Sequence, residues 1–174
     1  MYNHLTMQSI THFFSGVFLM ALIQALVPAA WLQNVLLFPC GILMHFLVDG
    51  PVEITYHPRT PRMQDPFWKG WHLIVAIGSV IVVLVFWVPY FWGMFACIVV
   101  DIVDWGILRS IFALKKVHVP EDPAFFPHYF IHYWIWRFRM KVFPFLPNWN
   151  EKHRGIVPEI LIWAACTLAV IVFL

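Results

Sequence analysis

The chain has 174 residues, of which 61% are hydrophobic and 11% charged, with ten Trp, seventeen Phe and a formal net charge of +2. Soluble domains carry about 25% charged residues, so this composition excludes an ordinary soluble domain and indicates an integral membrane protein. The small net charge speaks against nucleic-acid binding. Nine His, as many as the nine Asp and Glu together, make metal binding worth testing. Cys40, Cys97 and Cys166 lie inside apolar runs with no CxxC pair, which reads as buried small hydrophobes and not as disulfides or ligands.

The amino terminus lacks the basic region of a signal peptide and reads as mature chain. Residues 10–30 supply the roughly 20 apolar residues that a helix needs to cross a bilayer. Trp31 marks the far interface, and residues 32–49 return to end on His45 and Asp49. A polar, Pro-rich loop, 50–70, carries Glu53, His57, Arg59, Arg62, Asp65 and Lys69. The third apolar segment is 71–88, a tight turn is expected at Pro89-Tyr90, and the fourth segment, 91–112, contains Asp101 and Asp104. Residues 113–155 are too charged to span. Within them, 125–142 is rich in aromatics and ends in Arg137, Arg139 and Lys141, the pattern of an interfacial amphipathic helix that Pro144 and Pro147 then break. A fifth segment runs from 156 to 174. The expected fold is therefore all-α: one membrane domain, 1–174, with about five transmembrane helices and one interfacial helix.

Counting five crossings puts all eleven basic residues on one side: Arg59, Arg62, Lys69, Arg109, Lys115, Lys116, Arg137, Arg139, Lys141, Lys152 and Arg154. The positive-inside rule then makes that side cytoplasmic, in a cell inner or plasma membrane, with the N terminus in and the C terminus out. The same count brings His12, His45, Asp49, Asp101, Asp104, His153 and Glu159 to one membrane level, although they come from segments remote in sequence. Ionisable residues inside a membrane usually mark function.

His45 and Asp49, at i and i+4, lie on one helix face and can furnish two ligands; the bland alternative is an interfacial histidine beside a helix-ending acid. Asp101 and Asp104 repel unless a cation or a proton lies between them, the alternative being a pairing of one with Arg109. His12 and His153 are further candidate ligands, and Arg154 is a candidate clamp for an anionic oxygen. Asp49, Asp104 and Glu159 are candidate general bases. His128 and His132 form an HxxxH pair of second rank, since they also suit an aromatic belt. His118, His57, His72 and His4 rank lower.

His45-Phe46-Leu47-Val48-Asp49-Gly50-Pro51-Val52-Glu53, Thr11-His12-Phe13-Phe14-Ser15-Gly16, Asp101-Ile102-Val103-Asp104-Trp105 and His153-Arg154-Gly155-Ile156-Val157-Pro158-Glu159 resemble motifs of the LexA-regulated membrane-bound metal-dependent hydrolase family, which is distantly similar to zinc-dependent phospholipase C. The motif order is rearranged. Trp105 and Pro158 stand where that family has histidines, leaving His128, His132 or Glu159 as possible substitutes. The resemblance implies a metal site of one or two divalent ions, zinc above others. With the residue placement, it leads to the expectation of a membrane-embedded hydrolase that uses metal-activated water on a phospholipid or another amphiphilic phosphoester. A metal- or proton-coupled transporter, a diiron oxygenase or desaturase, and a non-catalytic membrane subunit are the alternatives. A single HxxxH and no adjacent His pair weigh against the oxygenase.

Overall fold

The computed structural model describes residues 9–56, 58, 62–119 and 123–173. His4, His57 and Arg59 lie outside them. The described residues contain no strand. Among the described residues six α-helices follow one another: α1 (Ser9–Leu26), α2 (Ala30–Asp49), α3 (Pro66–Asp101), α4 (Arg109–Leu114), α5 (Ile131–Val142) and α6 (Ile156–Phe173). Ile102–Leu108, between α3 and α4, is π-helical, and a short 3₁₀ turn at His153–Gly155 leads into α6.

Among the described residues four segments are long and apolar enough to cross a membrane, Ser9–Leu26, Ala30–Asp49, Pro66–Leu114 and His153–Val172. Five had been expected. The difference lies in the third segment, whose 49 residues exceed twice the roughly 20 that one crossing needs.

That segment cannot be straight. Ser79 Oγ lies 2.7 Å from Ser9 Oγ, and Asp101 Oδ2 lies 3.6 Å from His12 Nε2. Ser9 and His12 are one turn apart on α1, whereas a straight helix would separate Ser79 from Asp101 by about 33 Å, more than the side chains can bridge. α3 therefore doubles back between these positions. Pro89 falls in the interval; it has no N–H to donate to the preceding turn, and Val88 beside it is 89% exposed. The expected turn at Pro89-Tyr90 is thus a reversal between two helical arms with no non-helical residue between them.

α1 is the central helix, with Ile10, Thr11, His12, Ser15, Gly16, Val17, Leu19, Ala21 and Ile23 all buried. It packs against α2, both arms of α3, and α6. Small residues permit this. A Cβ on Gly16 would stand 2.5 Å from the Gly93 carbonyl oxygen, and one on Gly41 2.6 Å from the Ala96 Cβ. Backbones that approach so closely are typical of helix contacts in lipid, where packing must do what water exclusion does elsewhere. By contrast, the flanks of α2, α3 and α6 expose Leu43, Leu73, Leu84, Leu161 and Leu168, as lipid-facing surfaces would.

The expected interfacial helix begins later than 125. Pro123–Phe125 is a 3₁₀ turn, and α5 starts only at Ile131. Phe126, Phe130 and Tyr133 pack on Trp105, Leu108 and Phe112, and Arg139 Nη1 meets Glu53 Oε1 at 2.6 Å. These contacts hold α5 across the ends of α2 and the π-helical segment.

Candidate metal centre

His12 lies near the start of α1, His45 and Asp49 in the last two turns of α2, Asp101 at the end of α3, Asp104 in the π-helical turn and His132 at the start of α5. The fold brings all six together. His45 Nε2 is 3.2 Å from Asp49 Oδ2 and 3.8 Å from Asp101 Oδ1. His132 Nε2 is 3.2 Å from Asp101 Oδ1 and 3.6 Å from Asp49 Oδ2. His12 Nε2 is 3.3 Å from Asp49 Oδ1 and 3.6 Å from Asp101 Oδ2. The rings of His12 and His45 stack at 4.2 Å. One donor atom from each of His45, Asp49, Asp101 and His132 lies within 4.8 Å of the other three. Tetrahedral ligands at about 2.1 Å from a metal stand about 3.4 Å apart, so these N···O distances bracket what one ion requires. The group could hold a metal ion.

Two rings are oriented from behind. A carbonyl can only accept, so the 2.7 Å contact between His45 Nδ1 and the Cys97 carbonyl makes Nδ1 the donor and turns Nε2 towards the carboxylates. Asp104 Oδ2 accepts the Nδ1–H of His132 at 2.8 Å and its backbone N–H at 2.7 Å. The second bond caps the first turn of α5, where a carboxylate also suits the helix dipole. A carboxylate or carbonyl behind each ligating imidazole is the usual support of a metal site. Asp104 Oδ2 thus orients His132, and Asp104 is not among the four residues whose donor atoms converge. Replacing Asp104 with Asn should leave the cluster assembled but weaken metal affinity about 10- to 100-fold; a metal-competition titration measures this.

The same contacts are also satisfied by protons. Burial disfavours a charged ring at His132, but Asp101, Asp104 and Asp49 outweigh it and hold the imidazole well above the ordinary histidine range. Protonated, Nε2 donates to Asp101. Deprotonated, it accepts the Trp105 indole N–H at 3.2 Å or binds a cation. A cation bound there would displace this proton, and the indole would have to yield the lone pair.

The structure removes four expected residues from the site. His153 stacks on Phe67 at 3.8 Å, is 3.8 Å from Asp65 and has a side chain 57% exposed. Arg154 lies over the Trp149 ring at 4.4 Å. Both follow from the 3₁₀ turn at His153–Gly155, since Gly155 packs against the backbone of Thr55 and Tyr56 and ties that turn to the neighbouring loop. Glu159 is buried on a different face of α1 from His12, with Oε1 accepting from Thr11 Oγ1 at 3.2 Å; Trp163 Nε1 donates to the same hydroxyl at 2.7 Å. His128 packs on Tyr133 at 4.5 Å, and its carbonyl accepts from the Trp134 indole. The i,i+4 argument fails for His128 because α5 begins after it.

The contacts that side-chain patterns did not reveal are the Cys97 carbonyl behind His45 and the Trp105 indole on His132 Nε2. A backbone acceptor leaves no mark in sequence. Trp105 lies one residue from Asp104, but only the π-helical turn makes clear which way it faces. A scan against protein-family models finds no match, and comparisons with curated proteins and with solved structures find none either.

Proposed function

We propose that the chain is a membrane-embedded, metal-dependent hydrolase of an amphiphilic phosphoester, with a zinc-type ion held by His12, His45, His132, Asp49 and Asp101. The observation that carries this reading is that two histidines are locked from behind with both Nε2 atoms directed at the same pair of carboxylates. Imidazole nitrogen and carboxylate oxygen are the donors that zinc takes in catalytic sites. Such an ion supplies Lewis acidity and brings the pKa of water down to about 7. Asp49 Oδ1 is buried and faces His12 Nε2 at 3.3 Å, which supports a ligand role for this carboxylate.

The location supports an amphiphilic substrate. The cluster sits where α1 begins and α2 ends, at helix ends and not at mid-span. If the doubled-back α3 crosses twice, the sequence count of five crossings applies, and the positive-inside rule supports a cytoplasmic side for the cluster. The motif resemblance to membrane-bound metal-dependent hydrolases supports the same reading.

The test is made on protein purified in neutral detergent. Elemental analysis should find a divalent ion, phospholipid or phosphodiester turnover should accompany it, and a chelator should abolish turnover until zinc is returned. Metal-free protein, or hydrolysis indifferent to chelation, would sink the proposal.

A further inference from the structure

We infer that the centre takes a second metal ion, held by His12 Nε2, Asp49 Oδ1 and Asp101 Oδ2. This deepens the metal-dependent reading and rests on it, dividing the five ligands between two ions. The two carboxylates carry the argument, since each turns one oxygen to His12 and the other to the pair His45 and His132. Asp49 Oδ1 is 3.3 Å from His12 Nε2, while its Oδ2 is 3.2 Å from His45 Nε2 and 3.6 Å from His132 Nε2. Asp101 repeats the division, with Oδ2 3.6 Å from His12 Nε2 and Oδ1 3.8 Å from His45 Nε2 and 3.2 Å from His132 Nε2. A carboxylate divided in this way can bridge two cations, one on each oxygen. Nε2 of His45 and His132 with one oxygen of each acid already complete the tetrahedron of one zinc-type ion. His12 and the two remaining oxygens are in excess of what that ion needs.

The rings of His12 and His45 are set for neighbouring ions. They stack at 4.2 Å with 10° between their planes, and their Nε2 atoms face the two oxygens of one carboxylate, Asp49. Parallel imidazoles at that spacing suit ions about 3.5–4 Å apart, the separation found in two-metal sites. His12 is 2% exposed, so its ring meets the carboxylates away from bulk water.

Coordination separates the roles of the two ions. Structural zinc is closed by four protein ligands, whereas catalytic zinc keeps one position open. His45, His132, Asp49 and Asp101 close the first ion. Three protein donors hold the second, which leaves its fourth position for water or a phosphate oxygen. Charge permits both, because Asp49, Asp101 and Asp104 together carry one negative charge more than a single dication neutralises. The ions also differ in support. The Cys97 carbonyl and Asp104 stand behind His45 and His132, while His12 Nδ1 has no hydrogen-bond partner among the described residues. Lack of such a partner typically costs about 10- to 100-fold in metal affinity, so the second ion is the weaker one.

Chelator-stripped protein in neutral detergent is titrated calorimetrically with zinc, and bound metal is counted by elemental analysis, for wild type and His12→Ala. Wild type should take up two ions per chain, the second about 10- to 100-fold more weakly than the first. His12→Ala should keep only the tight step and lose phosphodiester turnover. Cobalt-loaded wild type should show spin coupling between neighbouring ions by electron paramagnetic resonance, a readout that decides the matter even where the variant fails to fold. A single ion in wild type, two ions kept by His12→Ala, or two cobalt ions without coupling overturns the inference and leaves the metal reading standing. Wild type that takes up no metal overturns the metal reading itself, a separate result.

Discussion

Alanine at Asp49 should empty the metal centre, with affinity falling on the order of 100-fold or more, because this carboxylate touches every histidine of the group. Oδ1 faces His12 at 3.3 Å, and Oδ2 faces His45 at 3.2 Å and His132 at 3.6 Å. The nearest other carboxylate that the described residues bring to the cluster, Asp104, is held through Oδ2 by the ring and backbone N–H of His132. His45→Ala should act alike by removing an Nε2 that the Cys97 carbonyl has aimed. His153→Ala is the informative control. Sequence marked it as a candidate ligand alongside His45, yet its ring stacks on Phe67 away from the cluster, so metal content should stay at the wild-type level. Elemental analysis of the three variants, purified alongside wild type, decides the matter. Metal lost from His153→Ala but kept by Asp49→Ala would refute the ligand assignment.

What sequence could reveal followed the physics of each signal. Apolar length and polar loops located the helices. His45 and Asp49 were legible because both lie inside one regular helix, where a spacing of four fixes a shared face. The Asp101–Asp104 pair and the motif around His12 named candidates, but only counting crossings joined them to His45, and it brings helix ends to one level without saying which way their side chains point. At that resolution Glu159 and His12 look equivalent, and the structure separates them by the angle around α1. His132 and Asp104 depended on irregular backbone: one sits two residues into a helix whose start was expected elsewhere, and the other in a π-turn. His153 and Arg154 were misplaced by a 3₁₀ turn packed on a neighbouring loop. Short motifs fix chemistry well and direction poorly.

The second large effect is expected far from any ligand, at Gly93. A Cβ there would overlap the Gly16 carbonyl oxygen and stand 2.7 Å from the Met20 Cβ. Neither obstacle is the mobile end of a long side chain, so α1 and the second arm of α3 must move apart. Gly16 lies four residues after His12 and hence on the same face of α1. The spacing that Gly93 permits is therefore also the spacing that sets His12 against Asp101 at 3.6 Å. Gly93→Leu should cost about 3 kcal/mol or more, at or beyond the upper end of ordinary overpacking, and should lose metal together with stability; Gly93→Ala should do the same in smaller measure. Gly70 supplies the contrast within the same helix. A Cβ there meets nothing within 4 Å, so Gly70→Ala should be neutral or stabilising by up to about 1 kcal/mol through helix propensity. Thermal unfolding in detergent and metal content, measured on all three variants, test the coupling. If Gly93→Leu were as stable as Gly70→Ala and fully metal-loaded, close packing of α1 on α3 would not be what holds His12 in the cluster.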